Sequence, residues 1–93
     1  MNVTLSDKVA VVTGGGGGIG SEICRSLAKA GASVIITHKD DSDLEVSQSA
    51  LASLDGEGHM VVQTSVDNYE DQQALAKTIS DKYGRLDILI NCA

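Results

Sequence analysis

Apolar residues in this chain follow two rhythms. Val9-Ala10-Val11-Val12-Thr13, Ser33-Val34-Ile35-Ile36-Thr37, His59-Met60-Val61-Val62-Gln63 and Leu86-Asp87-Ile88-Leu89-Ile90-Asn91 are short runs, apolar or β-branched at most positions. Such runs are expected of parallel strands buried on both faces. Between them the apolar positions return every three or four residues. Ile19, Ile23 and Leu27, with Ala28 and Ala30, predict a first helix stopped by Gly31 in a left-handed cap. Leu44, Ala50, Leu51 and Leu54 predict a second, opened by the capping-box spacing Ser42-x-x-Glu45 and ending near Asp55-Gly56-Glu57-Gly58. Leu75, Ile79 and Tyr83 predict a third, opened at Asn68 with Asp71 three residues on and stopped by Gly84. Strands and helices thus alternate β-α-β-α-β-α-β with short connections. Right-handed crossovers turn that order into an α/β, doubly wound parallel sheet of strand order 3-2-1-4, with helices on both faces. It amounts to about half of a Rossmann-type sheet.

With 93 residues, one small domain is the ceiling. The net charge of −6, from 13 acidic against 7 basic residues with no basic block, argues against a nucleic-acid surface. No stretch is apolar enough to span a bilayer, and the start of the chain lacks the charged and apolar regions of a secretion signal, so a cytoplasmic location is expected. Cys24 and Cys92 form no CxxC or Cys/His cluster and read as reduced thiols, Cys24 as a packing residue; no metal is expected.

The chemistry lies between the first strand and the first helix. There Gly14-Gly15-Gly16-Gly17-Gly18-Ile19-Gly20 forms a turn whose backbone can come close to a ligand, while the helix start offers amide N–H groups and a positive dipole end to a pyrophosphate. Two spacings fit: Gly15-x-Gly17-x-x-Gly20, the general dinucleotide template, and the wider Thr13-Gly14-x-x-x-Gly18-Ile19-Gly20. On the wider pattern Gly16 is a variable position where alanine is expected to be tolerated. No Gly-Lys-Ser/Thr follows, which disfavours a P-loop nucleoside triphosphatase. Ligands of such sheets sit beyond the carboxyl ends of the strands. His38-Lys39, Asp67 and Asn91-Cys92-Ala93 fall at those ends with the glycine turn.

With these residues in place the chain resembles the cofactor-binding, N-terminal part of a short-chain dehydrogenase/reductase. Thr13-Gly14-x-x-x-Gly18-Ile19-Gly20, Asp67 after the third strand and Asn91-x-Ala93 after the fourth carry the resemblance; Cys92 stands where the family's Asn-Asn-Ala-Gly has its second Asn. The resemblance implies that Gly14, Gly18, Ile19 and Gly20 line the cofactor pyrophosphate. It implies that Val66 and Asp67 border the adenine, that Asn91 ties the fourth strand to its neighbours, and that Ala93 lies along the ribose. It further implies an oxidoreductase moving hydride between NAD(P)H and a carbonyl or alcohol, with a small-molecule substrate and a homo-oligomeric complete protein. The family's Tyr-x-x-x-Lys is missing, since Tyr69 is followed at the fourth position by Gln73 and Tyr83 by Asp87. The chain alone is therefore expected to be inactive, its catalytic portion lying outside these residues.

Cofactor choice turns on the end of the second strand. An acidic residue there takes the ribose hydroxyls of NAD and a basic one admits the 2′-phosphate of NADP. His38 followed by Lys39 favours NADP(H), against Asp40 and Asp41, either of which could reach back to the ribose. A catalytically silent nucleotide-binding or subunit-docking module is the alternative. A methyltransferase fits the general glycine template but leaves Asn91-x-Ala93 unexplained.

Overall fold

The computed structural model describes residues 4–65 and 67–92. Its elements run β1 (Val9–Thr13), α1 (Gly18–Lys29), β2 (Ser33–His38), a 3-10 turn (Asp41–Asp43), α2 (Leu44–Ala52), β3 (Met60–Gln63), α3 (Tyr69–Lys82) and β4 (Ile88–Asn91). The four strands form one parallel sheet of order β3-β2-β1-β4, as the alternation requires. The register pairs Thr13 with both Thr37 and Asn91, and His38 with Gln63, so the carboxyl ends of all four strands reach one edge of the sheet.

Alternate residues of the central strands feed two cores. Val12, Val34 and Ile36 pack under Cys24 and Ala28 of α1 and Ala50 of α2. Val9, Val11 and Ile35 face the other way, onto Leu75 and Ile79 of α3, with Tyr83 at its margin. Continuous apolar runs in β1 and β2 are thus explained by burial on both faces.

Four local expectations are corrected. On α1 the buried line is Gly20, Cys24 and Ala28, while Ile19 is 78% exposed. The glycine turn brings the helix so close to the sheet that only small side chains fit on the innermost line, and the larger Ile23 and Leu27 are displaced to its flank. The capping box at Ser42 does not form, because Ser42 is taken into the 3-10 turn, closed by Asp43 N–H donating to the Asp40 carbonyl (3.0 Å); α2 starts at Leu44 with no side-chain cap. β3 begins one residue after His59, whose Nδ1 accepts from Val34 N–H (3.0 Å) while Nε2–H donates to the Asp55 carbonyl (2.7 Å). β4 begins at Ile88, because Asp87 is spent on a clamp: its carboxylate accepts from Val9 N–H (2.9 Å) and from Arg85 (2.7 and 2.8 Å). The third helix behaves as its sequence suggests. Asn68 caps α3 by accepting from Asp71 N–H (3.0 Å), though the Asp71 carboxylate reaches back to Ser65 N–H (3.0 Å) rather than to Asn68.

Candidate functional site

The glycine turn leaves β1 through Gly14, which takes φ +66°, a left-handed conformation suited to glycine. Gly14 N–H donates to the Thr37 carbonyl (3.0 Å) and Gly17 N–H to the Gly14 carbonyl (3.2 Å), so the turn is tied to β2 and closed on itself. A Cβ on Gly20 would lie 2.5 Å from the Gly14 carbonyl oxygen and 2.9 Å from Gly15 Cα, backbone contacts that cannot be relieved by a side-chain rotation. One on Gly15 would meet Cys24 Sγ, the Val12 carbonyl and Ile36 at 3.1 to 3.2 Å. Gly16 reverses the expectation of tolerance: its Cβ would fall 2.8 Å from Ser47 Oγ and 2.9 Å from Ser47 Cα, because α2 packs directly against the turn. Gly18 is the opposite case. A Cβ there would meet nothing within 4 Å, and one on Gly17 only the Gly14 carbonyl oxygen, at 3.7 Å.

Those two open glycines stand at the start of α1. Gly17, at the N-cap, supplies no side-chain bond, and the first turn holds no acidic residue, so the helix's leading amides have no side-chain acceptor of their own. Beside Gly17 lies a cleft of about 310 Å³, a volume in the range of small-ligand sites. Its walls include Gly14, Gly16 and Gly17 of the turn, His38 and Lys39 at the end of β2, and Thr64 just past β3. Thr64 is 6% exposed, and its hydroxyl is buried with no hydrogen-bond partner among the described residues. An unmet buried hydroxyl costs about 1–3 kcal/mol, so its presence in the wall of a cleft fits a site built for a polar ligand.

Among the described residues, those singled out at the strand ends lie along one edge of the sheet. His38 is buried and its Nδ1 faces the Asp40 carbonyl (2.9 Å). Lys39 is exposed, with Nζ 3.5 Å from the Asp67 carboxylate across the gap between the ends of β2 and β3. Asn91 accepts a hydrogen bond from the Thr13 hydroxyl (2.7 Å), joining the ends of β4 and β1 beside the turn. Ile19 lies exposed in the first turn of α1. Val66 and Ala93 lie outside the described residues. Of the two acids weighed against Lys39, Asp41 accepts from Gln63 Nε2 (2.8 Å), whereas the acid on the cleft wall is Asp43.

Sequence reasoning missed Thr64, Asp43 and Ser47. Thr64 was legible as the residue that follows a strand at its carboxyl end. Ser47, 1% exposed, was legible only as a polar interruption on the apolar side of α2. Neither tyrosine reaches the cleft: Tyr69 accepts from Gln73 on the surface of α3, and Tyr83 donates to the Gly58 carbonyl. Cys24 is buried behind the turn, and burial pushes its thiol up to about 11, which makes it a packing residue. No helix among the described residues is long and apolar enough to cross a membrane.

Comparison with known proteins agrees with this geometry. Residues 8–93 match the family profile described as short chain dehydrogenase. An uncharacterized oxidoreductase of Staphylococcus saprophyticus is 40% identical over 95 residues, covering 98% of this chain and 39% of the relative. A short chain dehydrogenase from Bacillus anthracis, solved at 1.99 Å, superposes with a TM-score of 0.81 at 39% identity over 94% of this chain and 35% of that one. The Pseudomonas aeruginosa RhlG/NADP active-site complex superposes with a TM-score of 0.78 at 30% identity, covering 99% of this chain and 36% of that one. The chain therefore spans well under half the length of each of these relatives.

Proposed function

The chain belongs to the short chain dehydrogenase family, and from that premise we propose that it supplies the dinucleotide-binding part of an oxidoreductase. Bound there, the nicotinamide would accept or donate hydride to a carbonyl or alcohol substrate. The observation that carries this reading is the pairing of an uncapped helix start, open at Gly17 and Gly18, with a cleft whose wall holds the unpartnered Thr64 hydroxyl.

Gly14, Gly18, Ile19 and Gly20 would hold the pyrophosphate through backbone amides and the helix dipole. His38 and Lys39 would take the adenosine ribose, Val66 and Asp67 the adenine. Asn91 would brace β4 against β1, with Ala93 along the ribose. NADP(H) is favoured because an ammonium at Lys39 can meet a 2′-phosphate and no carboxylate occupies position 38; a similar chain, RhlG, was solved with NADP. The small-molecule substrate and homo-oligomeric assembly are carried over from the family. Hydride transfer to a carbonyl also needs a proton donor within hydrogen-bond reach. With neither tyrosine on the cleft wall, the 93 residues by themselves are expected to turn over no substrate.

Nicotinamide fluorescence during titration of NADPH and NADH into the full-length protein tests the reading. Tighter binding of NADPH, severely weakened by Gly20→Val, is expected. Absence of binding by either nucleotide would overturn it, and equal affinity for both would remove the NADP preference alone.

A further inference from the structure

Lys39 does not stand alone at the end of β2. Gln63 Nε2, at the end of β3, donates to the Lys39 carbonyl (3.2 Å) and to Asp41 Oδ1 (2.8 Å), which draws the exit loop of β2 against β3. On the facing side, Asp67 sits in a turn that α3 holds down: Asn68 N–H donates to the Ser65 carbonyl (3.2 Å), Gln72 Nε2 to the same oxygen (2.9 Å), and Ser65 N–H to the Asp71 carboxylate (3.0 Å). Two braced segments thus bring Lys39 Nζ to 3.5 Å from Asp67 Oδ2 at the mouth of the cleft. The pair is exposed, 61% on the lysine side chain and 79% on the aspartate, so it is weak and exchanges readily. Among the described residues Lys39 is the one lysine or arginine on the cleft wall, and Asp43 shares that wall.

We propose that Asp67 sets the cofactor preference by competing with a ribose 2′-phosphate for the Lys39 ammonium. This deepens the dinucleotide reading above and rests on it. A phosphate monoester carries nearly two negative charges at neutral pH. It can take Lys39 only by displacing the Asp67 carboxylate, and then sits beside that displaced charge. A ribose with a free 2′-hydroxyl meets no such contest. Asp67 therefore holds down the advantage that Lys39 confers on NADP(H), leaving a site that accepts both cofactors more evenly than a lone lysine would.

The test uses 2′-phospho-ADP-ribose and ADP-ribose, titrated calorimetrically into the full-length protein, and reads the ratio of their affinities. Any adenine contact by Asp67 acts on both ligands and cancels in that ratio. Asp67→Asn should shift the ratio toward the phosphorylated ligand by about fivefold at low salt, the scale of one unit-charge contact in water, with an unchanged denaturation midpoint. In a Lys39→Met background the same substitution should produce less than half of that shift. An unmoved ratio, or an equal shift in both backgrounds, would overturn the role of Asp67 acting through Lys39. Failure of both ligands to bind the wild type would overturn the dinucleotide reading and this proposal with it.

Discussion

Gly18 and Gly20 are two residues apart and lack side chains for different reasons. At Gly20 the Gly14 carbonyl stands 2.5 Å from where a Cβ would be, and at Gly16 the backbone of Ser47 stands 2.9 Å away. Gly20→Ala and Gly16→Ala should each destabilise the fold by about 1–3 kcal/mol, the usual effect of forcing an extra methyl into a packed site. Gly18 has no neighbour within 4 Å, so Gly18→Ala should leave stability within about 0.5 kcal/mol of wild type, since alanine also favours the helix. If the space at Gly18 is kept for a pyrophosphate, that variant should nevertheless bind NADPH more weakly. Urea midpoints and nucleotide titrations on the same three full-length variants separate the two kinds of glycine. A destabilised Gly18→Ala, or a neutral Gly16→Ala, would contradict the packing described. His59 gives a companion case: His59→Ala strands the buried Val34 amide and should cost about 1–3 kcal/mol in the same urea experiment.

Among the elements, β4 depends on a clamp that pH can open. Arg85 first, then Val9 N–H, hold the Asp87 carboxyl at about 2 instead of its ordinary 3.8. A folded-state value below the unfolded one adds stability that is complete above pH about 4 and is lost as pH falls through about 2. Asp87→Asn should flatten that limb: between pH 4 and 2 the wild type should lose urea resistance more steeply than the variant, and parallel curves would remove the clamp from the account. This clamp also shows what the sequence concealed. Leu86 and Asp87 read as strand from apolar density alone, and only the partners of Asp87 reveal a loop. Strand order and the caps at Asn68 and Gly31 were legible because each follows from local chemistry or handedness. The buried line of α1 was not. Periodicity locates an apolar stripe but not how near the sheet lies, and here the nearness of the turn selects glycine, cysteine and alanine over isoleucine. For the same reason His38 and Lys39, which follow from the end of a strand, could be named in advance as neighbours of the cleft, whereas Ser47 and Asp43, brought in by the packing of α2, could not.

For the molecule as a whole, the glycine turn and the core beneath it are one structure. Cys24 joins them: it packs with Val12, Val34 and Ile36, all fully buried, and its Sγ lies 3.9 Å from the Gly15 carbonyl. Burial, and then the neighbouring Cys92, push its thiol up to about 11, so in the folded protein it is both inaccessible and protonated at neutral pH. A thiol reagent can reach it only after α1 leaves the sheet, whereas Cys92 is partly exposed. Alkylation of the full-length protein, followed by mass spectrometry of the two cysteine peptides, should show Cys92 modified early. Cys24 should be modified at a rate that climbs with urea as global unfolding does. Because a ligand bound only to the folded form lowers the open population by the factor 1 + [L]/Kd, NADPH at a hundred times its Kd should slow Cys24 labelling about a hundredfold where reclosing outruns alkylation. A Cys24 rate equal to that of Cys92, or indifferent to both urea and nucleotide, would mean that α1 opens by itself and that the turn is not anchored in the core.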